Sequence, residues 1–232
     1  MILRLLVFGL MCVIRAELKA EFRMRVSEIK MKNIFTSMLL VVGLVSSFGA
    51  SAADIEAGKN ASAECAGCHG ANGNSTIGSF PKLAGQGAKY LVKQMNDVKS
   101  GARPIVEMTG ILDGLSAQDF NNIAAFYQSQ TMSGGQAKKD LVEKGESLYR
   151  AGNPATNVAA CAACHLPTGA GVELAVFPAL AGQHADYIAK QLKNFRSGER
   201  ANDGDSRVMR SVAARLSDKE IEALASYISG LH

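Results

Sequence analysis

The stretches "CAGCH" (65–69) and "CAACH" (161–165) are two copies of Cys-x-x-Cys-His. Outside them the 232-residue chain holds only Cys12, His184 and His232 of either residue type. Two thiols two residues apart on one turn can reach the two vinyl groups of a single porphyrin, and the adjacent His then falls under the iron. Three other uses fit less well. A thioredoxin-like pair needs only Cys-x-x-Cys, set in a strand-and-helix domain whose β-rich run is missing here. Zinc fingers do not place His against the second Cys. Two disulfides would leave both histidines unexplained. The motifs therefore predict two covalently bound haem c groups, held by Cys65 and Cys68 and by Cys161 and Cys164. His69 and His165 are the proximal iron ligands in this reading.

The duplication extends well past the motifs. "SFPKLAGQGAKYLVKQMNDVKSG" (79–101) aligns with "VFPALAGQHADYIAKQLKNFRSG" (176–198) at an offset of 97, and "LSAQDFNNIAAFYQSQ" (115–130) with "LSDKEIEALASYISGL" (216–231) at 101. Such self-similarity marks a repeated structural unit. Gly134 and Gly135 interrupt two helical patterns, which places domains at 54–134 and 135–232. Each is short for an independent apolar core, and a buried haem would enlarge it.

Both halves read as helical. Tyr90, Leu91, Met95 and Val98 recur at helical spacing, as do Tyr187, Ile188, Leu192 and Phe195. The last helix of each half opens on a capping box, Ser116 with Asp119 and Ser217 with Glu220, and Leu216 can staple onto Ile221. Gly169 and Gly171 imply tightly turned chain near the haem edge. The aromatic pairs Tyr90/Tyr187 and Phe126/Tyr227 are expected to be haem-packing or core residues.

The iron's second face separates an electron carrier from a catalyst. After His165 the only methionine is Met209, which stands seven residues before Leu216, just as Met108 stands seven before Leu115. The matched pair is the distal-ligand candidate, with core filling as the plainer alternative. Met95 aligns with Leu192 and is read as core, and Met132 has no equivalent. His184 aligns with Gly87 and is read as a surface or structural residue. A carbonyl at Pro81 or Pro178, 12 and 13 residues beyond the two motif histidines, could accept the imidazole N–H and orient the ring.

From Met31 the chain reads "MKNIFTSMLLVVGLVSSFGASAADIEAG", with a positive end, an apolar run and a small-residue cleavage site. Residues 31–53 are thus expected to be a secretory signal peptide, and 1–30 an extension upstream of the true start. Up to Ala53 there are seven Lys/Arg and three Asp/Glu, a net of +4. The remainder, 18 of each, is neutral and gives no reason to expect nucleic acid as a partner.

"CAGCH", "CAACH", "FPKLAGQ", "FPALAGQ", "RPIVEMTGILDGLS" and "NDGDSRVMRSVAARLSDKEIEALASYI" together resemble the cytochrome c4 family across almost all of 54–232. The resemblance implies an all-α protein of two tandem cytochrome c domains, each wrapped around one haem and related by an approximate two-fold. It implies Met108 and Met209 as distal ligands beside His69 and His165, and a periplasmic electron carrier that is not an enzyme. Its partners would be a quinol-oxidising complex or small cytochrome upstream and a terminal oxidase downstream, with loose association to the inner membrane. The family often has two adjacent methionines at the second distal position, where this chain has Val208 and Met209. A di-haem peroxidase is the alternative, and would need an open distal face with acid–base groups beside it. A haem-bearing sensor would need an output region, and none is visible.

Overall fold

Ser116 and Ser217 begin the last helix of each half as the sequence predicts. Each hydroxyl accepts from the N–H three residues on, and Asp119 or Glu220 reaches back to the serine N–H. The computed structural model describes residues 52–231 together with positions 23 and 25. The leader, the upstream extension, Cys12 and His232 lie outside the described residues, apart from those two arginines and Ala52–Ala53. No helix of the described residues is long and apolar enough to cross a membrane.

The described chain from Ala52 onward is one compact unit of helices. In the first half these are α1 (Ile55–Ala61), α2 (Ala66–His69), α3 (Ala88–Lys99) and α4 (Ala117–Gln128). In the second they are α5 (Val142–Ala151), α6 (Ala162–His165), α7 (Ala185–Ser197), α8 (Val208–Ala213) and α9 (Asp218–Ser229). Among the described residues there is no strand, only the isolated bridges Asn153–Val158 and Val172–Phe177.

The same packing scheme occurs twice. α1 packs on α4 and α3 on α4; likewise α5 packs on α9 and α7 on α9. One core gathers Leu91, Ile123, Phe126 and Tyr127, and the other gathers Tyr149, Ile188, Leu216, Ile221, Leu224 and Tyr227. Phe126 and Tyr227 are therefore core residues. Leu216 and Ile221 share one core, as a staple requires.

Close helix crossing depends on one glycine in each half. A Cβ on Gly58 of α1 would overlap the Asn122 carbonyl of α4, and one on Gly145 of α5 would overlap the Ala223 carbonyl of α9. Neither obstacle is a side chain that could swing away, so the helices must separate to admit a methyl group. Gly58→Ala and Gly145→Ala should each destabilise the half that contains them by about 1–3 kcal/mol. Urea unfolding of the holoprotein, followed by circular dichroism, should show the loss. Gly67→Ala, with open space around its Cβ, is the control.

Candidate functional site

Each motif histidine ends a one-turn helix, α2 or α6, and is buried. The His69 Nδ1 lies 2.9 Å from the Pro81 carbonyl oxygen, and the His165 Nδ1 2.9 Å from that of Pro178. A carbonyl only accepts, so Nδ1 carries the proton and donates, and Nε2 of the neutral ring keeps its lone pair. Burial pushes both imidazoles below their ordinary pKa, while the proline carbonyls pull partly the other way. Both rings are thus neutral near pH 7, with Nε2 free to act as a base.

In the first half a cavity of about 320 Å³ opens beside His69. Cys65, Cys68 and His69 line it together with Met108, so the motif meets a methionine 39 residues further along the chain at one hollow. Its other walls are largely apolar, with Leu83, Leu91, Val98 and Ile123 among them, and Arg103 and Arg200 also line it. Tyr127 lines it too, with its buried hydroxyl beside the Ser62 and Cys65 side chains. Thiols, a basic imidazole nitrogen, a thioether, apolar walls and two cations suit a flat apolar macrocycle with acidic substituents. Met95, read from sequence as core, packs against the first core and also lines the cavity. In the second half Met209 is half-buried at the start of α8, which packs on α7. There the link between His165 and Met209 rests on the repeat.

No disulfide joins the four motif cysteines. Burial raises the pKa of Cys65 and pushes that of Cys161 up to about 11. Neither is a thiolate at neutral pH, which disfavours the redox-pair reading. Gly169 and Gly171 hold φ of 71° and 74°, as expected of tightly turned chain. Leu166 takes φ 67° where the first half has Gly70 at 80°, and its carbonyl accepts from the Tyr149 hydroxyl at 2.7 Å. That bond pins a backbone conformation that L-residues rarely adopt, directly after the motif histidine His165.

The two halves meet through paired polar contacts that sequence reasoning missed. Gln183 accepts from the Lys82 N–H and donates to its carbonyl, each at 2.9 Å. Gln86, its equivalent at offset 97, does the same to Ala179 at 2.8 and 3.0 Å. Arg103 donates to Gln94 of its own half and to Tyr187 and Gln191 of the other. Arg200 mirrors it, donating to Gln191 of its own half and to Tyr90 and Gln94 of the other. Tyr90 and Tyr187, expected as haem-packing or core residues, thus also bridge the halves, and Tyr187 lines the first cavity. His184, read from sequence as a surface or structural residue, bonds the Ser75 carbonyl through Nε2 at 2.9 Å. The available signal was the identity of Gln86/Gln183, Gln94/Gln191 and Arg103/Arg200 in both copies.

A cytochrome c family model matches residues 55–131 and 142–232. The chain is 52% identical to cytochrome c4 of Pseudomonas aeruginosa over 87% of this chain and 100% of that protein. It is 36% identical to a thiosulfate dehydrogenase electron acceptor of Stutzerimonas stutzeri, over 87% of this chain and 97% of that one. The crystal structure of reduced recombinant cytochrome c4 from Pseudomonas stutzeri superposes with a TM-score of 0.77 at 53% identity, covering 78% of this chain and 100% of that one.

Replacing Gln86 or Gln183 by Leu should leave a buried N–H and carbonyl of the opposite half unpaired. The cost should be about 1–3 kcal/mol for each group left without a partner. Tryptic cleavage after Lys138 or Lys139 should accelerate in both variants. Unchanged cleavage and unchanged urea midpoints would show that the amide pairs do not hold the halves together.

Proposed function

Because this chain belongs to the cytochrome c4 family, a family of electron carriers with two covalently bound haems c, we propose that both of its irons are ligated by His and Met and pass single electrons between periplasmic redox proteins. The chain is an electron carrier rather than an enzyme. The observation that carries the ligand assignment is the first cavity, whose walls combine Cys65, Cys68, His69 and Met108. Cys161, Cys164, His165 and Met209 take the same roles in the second half.

The bound haem supplies the ferrous–ferric couple. The protein's part is to hold its ligands still. Cys65 and Cys68, and Cys161 and Cys164, fix the macrocycle through thioether links. The Pro81 and Pro178 carbonyls fix the proximal rings and keep Nε2 unprotonated. Met108 and Met209 would supply the second ligand to each iron, and a thioether there would raise the potential and exclude peroxide or oxygen. A site closed in both oxidation states rearranges little, which favours transfer over catalysis. None of the relatives named above is a peroxidase, and no observation favours that alternative.

The electrons come from a quinol-oxidising complex or a small cytochrome and go to a terminal oxidase in this reading. The similar electron acceptor of a thiosulfate dehydrogenase points to a dehydrogenase as a further source. The leader sequence supports a periplasmic location, and the protein associates loosely with the inner membrane.

The mature protein should exceed its apo mass by two haems, show no free thiol, and begin at Ala53 or Asp54 in the same mass spectrum. The oxidised protein should show the weak far-red charge-transfer band of sulfur-ligated ferric haem, with the intensity of two haems. Met108→Ala should remove half of it, lower one potential and let that haem bind carbon monoxide when reduced. Met209→Ala should do the same for the other haem, and Met95→Ala should leave both spectra intact. A band worth one haem, or peroxide turnover at ordinary peroxidase rates, would defeat the carrier reading.

A further inference from the structure

The repeat offset rises from 97 at Arg103/Arg200 to 101 at Met108/Met209, so the second half has four extra residues between its arginine and its methionine. The longer segment contains Asn202, Asp203 and Gly204, and these make contacts that the shorter one cannot. The Asn202 side chain donates to Gln94 at 2.9 Å and to Asp97 at 2.6 Å, both on α3 of the first half. Lys93 of the same helix donates to the Asn202 carbonyl at 2.8 Å. Arg200 Nε donates to the Asn202 Oδ1 at 3.0 Å, closing the amide from the other side.

The next residue faces the methionine arm. Asp203, with its side chain 6% exposed, accepts from the Arg210 N–H at 2.9 Å and from Arg210 Nε at 2.6 Å. Arg210 Nη2 also donates to the Gly204 carbonyl at 3.1 Å. Arg210 directly follows Met209. Three bonds therefore fasten the first turn of α8 to the loop, and the loop is fastened to α3. The first half has no such brace. Met108 ends a 3₁₀ turn, Val106–Met108, closed by backbone bonds, and its neighbour Glu107 makes only an exposed 3.9 Å ion pair with Lys190.

We infer that Asn202 and Asp203 are positioning residues for Met209, so that the first half of the protein braces the distal ligand of the second haem while Met108 stands unbraced. The inference rests on Met209 being that ligand. Its consequence is unequal lability, with the first methionine leaving its iron more readily than the second.

Imidazole competition on the oxidised holoprotein tests this, because added imidazole replaces a methionine only as fast as the methionine lets go. The parent should react in two phases. Asp203→Ala should speed the slower phase about tenfold, equivalent to about 1.4 kcal/mol, and leave the faster unchanged. Asn202→Ala should speed it less. Asp203→Asn, which keeps an acceptor but loses the charge, should fall between parent and Asp203→Ala. In a Met108→Ala background only the slower phase should report methionine loss, which assigns it to the second haem. Hydrogen exchange over residues 205–213 should rise in Asp203→Ala while that of α4 does not, separating a local release from general unfolding. Equal phases in the parent, or no change in Asp203→Ala with the far-red band intact, overturns the inference alone. A parent band that lacks the second haem overturns the Met209 assignment and the inference with it.

Discussion

The bond from each motif imidazole to a proline carbonyl ties together parts of the fold that would otherwise be independent. It fixes which ring nitrogen carries the proton and which keeps its lone pair, and it anchors the loop carrying Phe-Pro-x-Leu-Ala-Gly-Gln to the one-turn helix of the haem motif. The residue after each proline offers its peptide unit to a glutamine of the opposite half, Lys82 to Gln183 and Ala179 to Gln86. The same seven residues therefore orient the proximal ring and build the contact between halves. A shift at that contact would move a carbonyl that orients a motif imidazole. Mutations there and mutations at the haem cannot be treated as separate, because they act on one loop.

Much of this could be read from the chain. The two haem motifs, the helical repeat, the capping boxes and the proline carbonyls each have a local cause, either a fixed spacing or a side chain that satisfies a nearby backbone group. Residues whose roles depend on the other half were not legible. Gln86, Gln94 and Arg103 look like ordinary polar positions on a solvated face until a second copy is laid against them. Tyr90 shows the same limit, since its helical spacing indicates a buried ring but not where the hydroxyl goes. Met95 and Met108 both line the first cavity, so the choice between them rests on the repeat. In that case the sequence discriminates better than the geometry does.

The interface is polar, and that suits its origin as a duplicated surface. Two copies of one patch can meet about a two-fold only if each donor finds the acceptor of its equivalent. An amide side chain bonding a peptide N–H and carbonyl satisfies this, and so does an arginine shared between its own glutamine and the other half's tyrosine. Buried side chains in these pairs leave few polar atoms unmet, which is what permits so polar a contact to be buried. Glu173 extends the scheme less completely. One carboxylate oxygen accepts from the Lys89 N–H in the first turn of α3, favourably placed for the helix dipole, while the other is buried without a partner.

One covalent link between two equivalent halves must break their symmetry, and the structure shows where. Lys82 is buried, its counterpart is Ala179, and its ammonium bonds the Ser133 carbonyl at 2.6 Å and the Gly182 carbonyl at 2.9 Å. Burial lowers its pKa, so the two carbonyls offset a real desolvation cost with no carboxylate to help. What they gain in position is a linker pinned between the halves. Asn74 accepts from the Ser133 N–H and donates to the Thr131 carbonyl, and the chain beyond is taken up by Ser229 and Ser226 of α9. The connection is thus laced at both ends and in the middle, unlike a flexible tether whose length sets an average separation. The two haem sites then keep their relation through packed, hydrogen-bonded contact, and exchange of an electron between them need not wait for the halves to find each other.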